Sequence, residues 1–440
     1  MSLRMGLATS SGSATADLSP GPAAVSPQSI ARNVLWSFSG NVLLAFCQWA
    51  IVVVLARLGT PHTVGVFALA LAVATPVILL ASLSLRTYQV TDTGCDYAFS
   101  EYITIRVIAM ALAIMAIGGI AFAVYGVDVA WVIVLVGVAK ALDAVSDICQ
   151  GALQQAERLD LMARSMILSG VLSLAGLTAG ILATGRLHWG VMGMIAASAL
   201  TLGSYNLPQA WSIVRQRSSA SLGKSSAWRP RALTWLAWSA LPLTLAHTLT
   251  ALNANVPRYY IEEYLREAEL GVFAALSYCV MAGQTVLSAV AQTLLPRLSA
   301  LRAAGDFSGY RRLLSKSLLA VTVGGAALVV AAAVFGEPVL RVIYGAAYAT
   351  RMDVFLWLTL GMAISFPVWL VDAAISSARR FRVQFPIMAV SLASSAVACG
   401  MWIPRYGLVG AAWSICLALS MMLVLKTLVL IQVLRADESR

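Results

Sequence analysis

The sequence predicts an all-α polytopic membrane protein, with about twelve transmembrane helices in two six-helix bundles around a central cavity. Three observations predict it. Of the 440 residues, 60% are apolar and 11% charged, where a soluble domain has roughly 45–50% and 25%. The apolar residues come in long unbroken runs instead of alternating, which argues against a β-barrel. Finally, short motifs recur along the chain at a shift of six runs, as an internally repeated bundle requires.

The first 33 residues are rich in Ser, Ala, Gly and Pro and lack an apolar h-region, so they read as a disordered cytoplasmic tail and not a cleaved signal peptide. The runs follow at roughly 34–56, 64–83, 103–125, 129–150, 163–184, 190–211, 233–256, 270–294, 318–336, 353–375, 384–402 and 408–431, each about long enough to cross hydrocarbon. Pro76, Pro242 and Pro367 fall inside runs, which membrane helices tolerate. Trp49, Trp131, Trp189, Trp211, Trp235 and Trp402 fall toward run ends, as an interfacial belt requires. The resulting organisation is an N-terminal bundle over 34–211, a basic cytoplasmic linker over 212–232, a C-terminal bundle over 233–432 and a short cytoplasmic tail over 433–440.

A net charge of +11 suggests nucleic acid in a soluble chain, but here the basic residues sit in particular connections, so no nucleic-acid partner is expected. Assigned to alternate sides, Lys and Arg divide about 20 to about 7 in favour of the side holding both ends, which places both termini in the cytoplasm and supports an even number of spans. Five of the six cysteines lie in apolar runs, Cys95 lies in a polar loop, and no CxxC spacing occurs; neither disulfide nor metal nor other cofactor is expected.

Val64-Gly65-Val66-Phe67-Ala68 opens the second run and Leu270-Gly271-Val272-Phe273-Ala274 the eighth. Ala152 to Leu159 follows the fourth run, and Ala374 to Phe381 the tenth. Gly190-Val191-Met192-Gly193 and Gly407-Leu408-Val409-Gly410 start the sixth and twelfth. A shift of an even number of spans relates the halves by an axis along the membrane normal. Two such bundles rocking about their interface give alternating access, so transport is the default function. No HExxH, GxSxG or Walker-type loop supports an enzyme or an ATP-driven pump.

The segment Gln292-Thr293-Leu294-Leu295-Pro296-Arg297-Leu298-Ser299, continuing to Gly305-Asp306, resembles the "P-x-L-S … G-D" connection of polysaccharide and O-antigen flippases in the multidrug/oligosaccharidyl-lipid/polysaccharide exporter (MOP) superfamily. Glu269-Leu270-Gly271-Val272-Phe273-Ala274 looks like that family's "E-L-G-x-Y/F-A", and Glu337-Pro338 through Tyr344-Gly345 like its turn after the ninth span. The resemblance implies a MATE-like, flippase-like fold that moves an undecaprenyl-diphosphate-linked oligosaccharide across the bacterial inner membrane, among membrane lipids and beside a polysaccharide polymerase or export machinery. The first run carries Asn41 and Gln48 but no carboxylate, which favours this over the superfamily's cation-coupled multidrug or metabolite antiporters. A membrane polymerase or ligase is a third reading, disfavoured by the short external loops.

Charges at membrane depth are costly and mark function by default. Lys140, Asp143 and Asp147 in the fourth run are spaced i, i+3 and i+7 and share one helical face. They are a cavity-lining group, with Lys140 on the diphosphate and an aspartate carrying a coupling proton or Na⁺, or a neutralised pair that holds helices together, or a face at the cytoplasmic interface, since the run ends near Gln150. Asp372 in the tenth run is a further ion-coupling candidate, or a partner of Arg379 or Arg380. Arg57, Arg86, Arg106 and Arg258 lie near run ends, where a long side chain either snorkels to the headgroups or turns inward to fork diphosphate oxygens. Arg258 is the best placed: it follows Asn253, Asn255 and Pro257, at an end that the resemblance puts beside the cavity. His247 either titrates during transport or makes a helix contact. Gln284 and Gln292 bond either sugar hydroxyls or a neighbouring helix. Arg297 to Lys316 reads as one basic amphipathic surface helix, and Glu262, Glu263, Glu267 and Glu269 as a solvated loop or helix end.

Overall fold

The computed structural model describes residues 27–92, 97–220, 230–304, 306–377 and 384–438, and among these residues every regular element is helical. In order they are α1 (Pro27–Leu58), α2 (Pro61–Ser82), α3 (Leu85–Thr91), α4 (Phe99–Val124), α5 (Val127–Gln155), α6 (Leu159–Thr184), α7 (Leu187–Thr201), a π-turn (Leu202–Asn206), α8 (Leu207–Ala220), α9 (Pro230–Ala303), α10 (Phe307–Ile343), α11 (Ala346–Ala349), α12 (Met352–Ser377) and α13 (Gln384–Glu438). Helix α9 reverses at Arg266 (φ 68°) and α13 at Gly407 (φ 60°), so each supplies two arms. With α2 and α3 forming one span and α7 to α8 another, the path crosses twelve times. Nine stretches among the described residues are by themselves long and apolar enough to span, and one of these, over 384–432, contains the Gly407 reversal.

Two boundaries differ from expectation, and one open reading is settled. Helix α1 begins at Pro27, inside the segment read as a tail, because proline's fixed φ and missing N–H suit a first helical position. The acidic residues Glu262 and Glu263 lie at the end of the first arm of α9, the helix end of the two readings, since the chain stays helical up to a reversal made at Arg266 alone. The basic stretch 297–316 is not one helix. Helix α9 ends at Ala303, and Asp306 caps α10 by accepting from the Gly309 backbone N–H at 2.8 Å, which, with Ser308, holds its carboxyl below the ordinary aspartate value. Cys95, Lys224, Arg229, Arg379 and Arg380 lie outside the described residues.

The core runs through both halves without a break, and the most extensive contact between them is α2 against α9. At its centre the two copies of the first repeat meet. A Cβ on Gly65 would lie 1.7 Å from the Glu267 carbonyl oxygen, and one on Gly271 1.8 Å from that of Pro61, so the backbones touch reciprocally. Flanking residues Val64, Phe67, Leu270 and Phe273 are at most 3% exposed. The third repeat is matched in the same way: Gly193 closes on the backbone of Gly176, and Gly410 on that of Trp402, each drawing one span against its predecessor.

Because the crossings are even in number, both described ends lie at one face of the bundle. The α1–α2 connection, the Arg266 reversal and the α10–α12 connection lie at the opposite face, and there the halves are joined. Arg57 donates through Nε to the Ile343 carbonyl at 2.8 Å and through Nη2 to those of Val342 and Arg341. Trp49 donates to the Tyr344 hydroxyl at 3.0 Å, and the Tyr259 hydroxyl to the Ala72 carbonyl at 2.5 Å.

Candidate functional site

The successive left-handed residues Leu83 (φ 49°) and Ser84 (φ 45°) interrupt the second span and turn α3 back toward α5. This brings Arg86 onto α5. Its Nη1 lies 2.5 Å from Asp147 Oδ1, and its Nε and Nη2 both reach Gln154 Oε1, at 3.3 and 3.0 Å. Behind Asp147 stands Arg106 of α4, 1% exposed, with Nη2 3.8 Å from Oδ2. One aspartate thus faces two arginines, a local excess of positive charge.

Two turns nearer the opposite face, Lys140 holds Asp143 at 3.1 Å, and Ser198 of α7 donates to the other oxygen of Asp143 at 2.9 Å. Across the interface, Arg258 of α9 donates to Asn255 Oδ1 at 3.0 Å and lies with its guanidinium carbon 5.6 Å from the centre of the Tyr278 ring. The N-terminal half thus contributes the cation Lys140 and the C-terminal half Arg258, the latter beside Tyr278. At 1.5 Å per helical residue, this pair sits roughly 10–20 Å from the opposite face and the Arg86 cluster roughly 30 Å from it.

Asp372 of α12 pairs with Lys426 of α13 at 2.8 Å and accepts from Gln384 at 3.2 Å. Lys426 did not figure among the sequence candidates, although a lone lysine inside an apolar run is itself a signal. It is only 5% exposed, so its removal leaves a carboxylate uncompensated. Lys426→Met is expected to cost about 2 kcal/mol, below the ~3–5 of a fully buried pair because Asp372 keeps 36% exposure. Adding Asp372→Asn should recover most of the loss of thermal stability in detergent. A double variant as weak as Lys426→Met alone would show that the pair carries no such burden.

The remaining candidates separate. Arg57 is not beside these cations: its donors are spent on the carbonyls at the end of α10, which a helix C-terminus leaves free. His247 Nδ1 lies 3.3 Å from the Ser84 hydroxyl, so it joins α9 to the break between α2 and α3. Asn253 donates to Ser391 at 3.3 Å, and its Oδ1 has no partner among the described residues. The side chains of Gln284 and Gln292 lie outside the described residues. Asp143, Asp147 and Asp372 each already face a fixed cation, so ion coupling at any of them requires that pair to open. A separate cavity of about 690 Å³ at the opposite face is lined by Tyr125, Tyr259, Glu262, Glu263 and Glu267, away from the cation clusters.

Residues 54–353 match a family model described as polysaccharide biosynthesis protein. The chain is 23% identical over 384 residues to the capsular polysaccharide biosynthesis protein CapF of Staphylococcus aureus, covering 87% of this chain and 95% of that protein. Its fold is similar to that of the lipid II flippase MurJ in an inward closed conformation, at a TM-score of 0.70 and 11% identity, covering 92% of this chain and 90% of the other. An outward-facing multidrug resistance MATE family transporter of the MOP superfamily aligns at a TM-score of 0.63 and 12% identity, covering 94% and 96%. The chain belongs to the polysaccharide biosynthesis protein family.

Proposed function

We propose that the protein flips an undecaprenyl-diphosphate-linked oligosaccharide repeat unit across the bacterial inner membrane by alternating access, without a covalent step, for exopolysaccharide or O-antigen export. The observation that carries this reading is the set of cations at membrane depth in both halves: Arg86 and Arg106 about Asp147 and Lys140 on Asp143 in one, and Arg258 over the Tyr278 ring in the other. A diphosphate headgroup cannot enter hydrocarbon alone. Fixed cations replace its hydration at low dielectric, and the arginine fork matches phosphate geometry. Drawing one cation from each half makes the affinity depend on how the halves meet, as alternating access requires. The pairing of Asp143, Asp147 and Asp372 supports this reading over a cation-coupled drug antiporter, which needs an available carboxylate.

In this reading the bundles over 34–211 and 233–432 are the moving bodies, joined by the basic segment 212–232. The excess of Lys and Arg puts both termini in the cytoplasm, so the face joined through Arg57 is periplasmic and the substrate enters from the cytoplasmic leaflet. The lipid tail stays among membrane lipids, and a polymerase or export machinery receives the sugar. In a strain deleted for the gene, lipid-linked oligosaccharide should accumulate on the cytoplasmic leaflet. Arg258→Ala and Lys140→Ala should each cut rescue by about tenfold or more, the worth of a charge-assisted bond. No accumulation on deletion would refute the function; full rescue by both variants would refute the site.

A further inference from the structure

Arg106 is an anomaly of the N-terminal half. It is 1% exposed, and its Nε and Nη1 have no hydrogen-bond partner among the described residues. Its Nη2 is 3.8 Å from Asp147, longer than a hydrogen bond. A buried guanidinium with empty donors is costly, and an apolar side chain would fill the place more stably. Its neighbour Arg86 is the reverse: 28% exposed, with Nη1 on Asp147 and Nε and Nη2 on Gln154. Asp147, 36% exposed, therefore stands between an accessible arginine that is filled and a buried one that is not.

We propose that Asp147 is a displaceable counter-ion: an arriving phosphate oxygen takes its place on Arg86, and its carboxylate turns onto the edge of Arg106 that Nη2 shares with one of the empty donors. This rests on the diphosphate reading above and adds an entry station to it. With Asp147 fixed, an incoming phosphate would meet a like charge. With the exchange, each guanidinium holds an anion, and Arg106 gains the two-donor partner it lacks. The movement is short, on the order of 1 Å, because the carboxylate already lies between the two groups. Gly151 keeps room for Arg86 itself, since a Cβ there would come 3.2 Å from Arg86 Cγ. Asp143 is not equivalent, since Lys140 and Ser198 hold both of its oxygens. An uncharged headgroup cannot drive the exchange, so the device selects for phosphate.

Farnesyl diphosphate, with farnesol as the uncharged control, is titrated against the full chain in nanodiscs and read by tryptophan fluorescence. The wild type should bind the diphosphate and not the alcohol. Asp147→Asn removes the competing carboxylate and should tighten binding about tenfold. Arg106→Gln should weaken it about tenfold alone, yet change nothing further in the Asp147→Asn background, where no carboxylate remains to be received. Arg106→Lys, which keeps the charge but loses donors, should move the same way and serves if Arg106→Gln does not fold. Weakening by Asp147→Asn, or additive losses in the double variant, would mean a fixed structural pair and overturn the exchange. A wild type that binds both lipids alike would instead refute the diphosphate reading itself.

Discussion

Gly271→Leu is expected to prevent the opposite face from closing and to abolish rescue of lipid-linked oligosaccharide export in the deletion strain. The reason lies in the crossing of α2 and α9. A Cβ at position 271 would fall 1.8 Å from the Pro61 carbonyl oxygen, and real Cβ atoms essentially never come within 3.0 Å, so the spans must part by on the order of 1 Å even for alanine. The obstruction is backbone, which cannot rotate away as a side chain can. In lipid no hydrophobic force draws helices together, and close contact between small residues is what holds such a crossing. Leucine removes that contact and also wedges the halves apart. Gly65→Leu should act alike, because its own Cβ would meet the Glu267 carbonyl at 1.7 Å. Spin labels on exposed Leu58 and Val342 should report a longer distance in either variant, with monodisperse elution as the check on folding. Wild-type rescue by a well-folded Gly271→Leu protein would show that this crossing need not close.

The same crossing shows what was legible in the sequence. Two copies of a Val/Leu-Gly-Val-Phe-Ala motif announced a repeat, but a repeat does not say that its copies touch; that follows only once the pseudo-two-fold axis is in place. The twelve apolar runs fall inside helices, because a span's length is set by the bilayer and its composition is one-dimensional information. What escaped was how short the turn between the seventh and eighth runs is. Arg266 turns the chain at φ 68° within a stretch of good helix formers, where neither glycine nor proline marks the place. In the candidate site, Lys140 and Asp143 pair as their helical spacing foretold, whereas Asp147 finds Arg86 from another helix, a tertiary fact. The charge count held more than was drawn from it. Of the 30 Lys and Arg, those assigned to the two sides leave Arg106, Lys140 and Lys426, and each of these faces an aspartate of α5 or α12.

Arg57→Glu is expected to have the second largest effect, by unlatching the halves without disturbing either. Helix α10 ends at Ile343, and its last carbonyls lack intrahelical partners and carry the negative end of the helix dipole. Arg57, from the last turn of α1 in the other half, supplies the missing donors, so that a helix end of one bundle is capped by a cation of the other. The guanidinium is exposed, which discounts the bonds to about 1–2 kcal/mol in total. That is still a factor of roughly 5–30 between a closed and an open opposite face. Glutamate at this position replaces attraction with repulsion of the same carbonyls, so the shift should exceed that of Arg57→Ala. Each bundle keeps its own packing, hence thermal stability should hardly change while the Leu58–Val342 label distance lengthens and broadens. Transport should fall because the open state no longer returns, and high salt should weaken the wild-type latch in the same direction. If the label distances of the wild type and Arg57→Glu coincide, the closed face is held without Arg57, by the glycine crossing and the Trp49 and Tyr259 bonds, and Arg57 only caps α10.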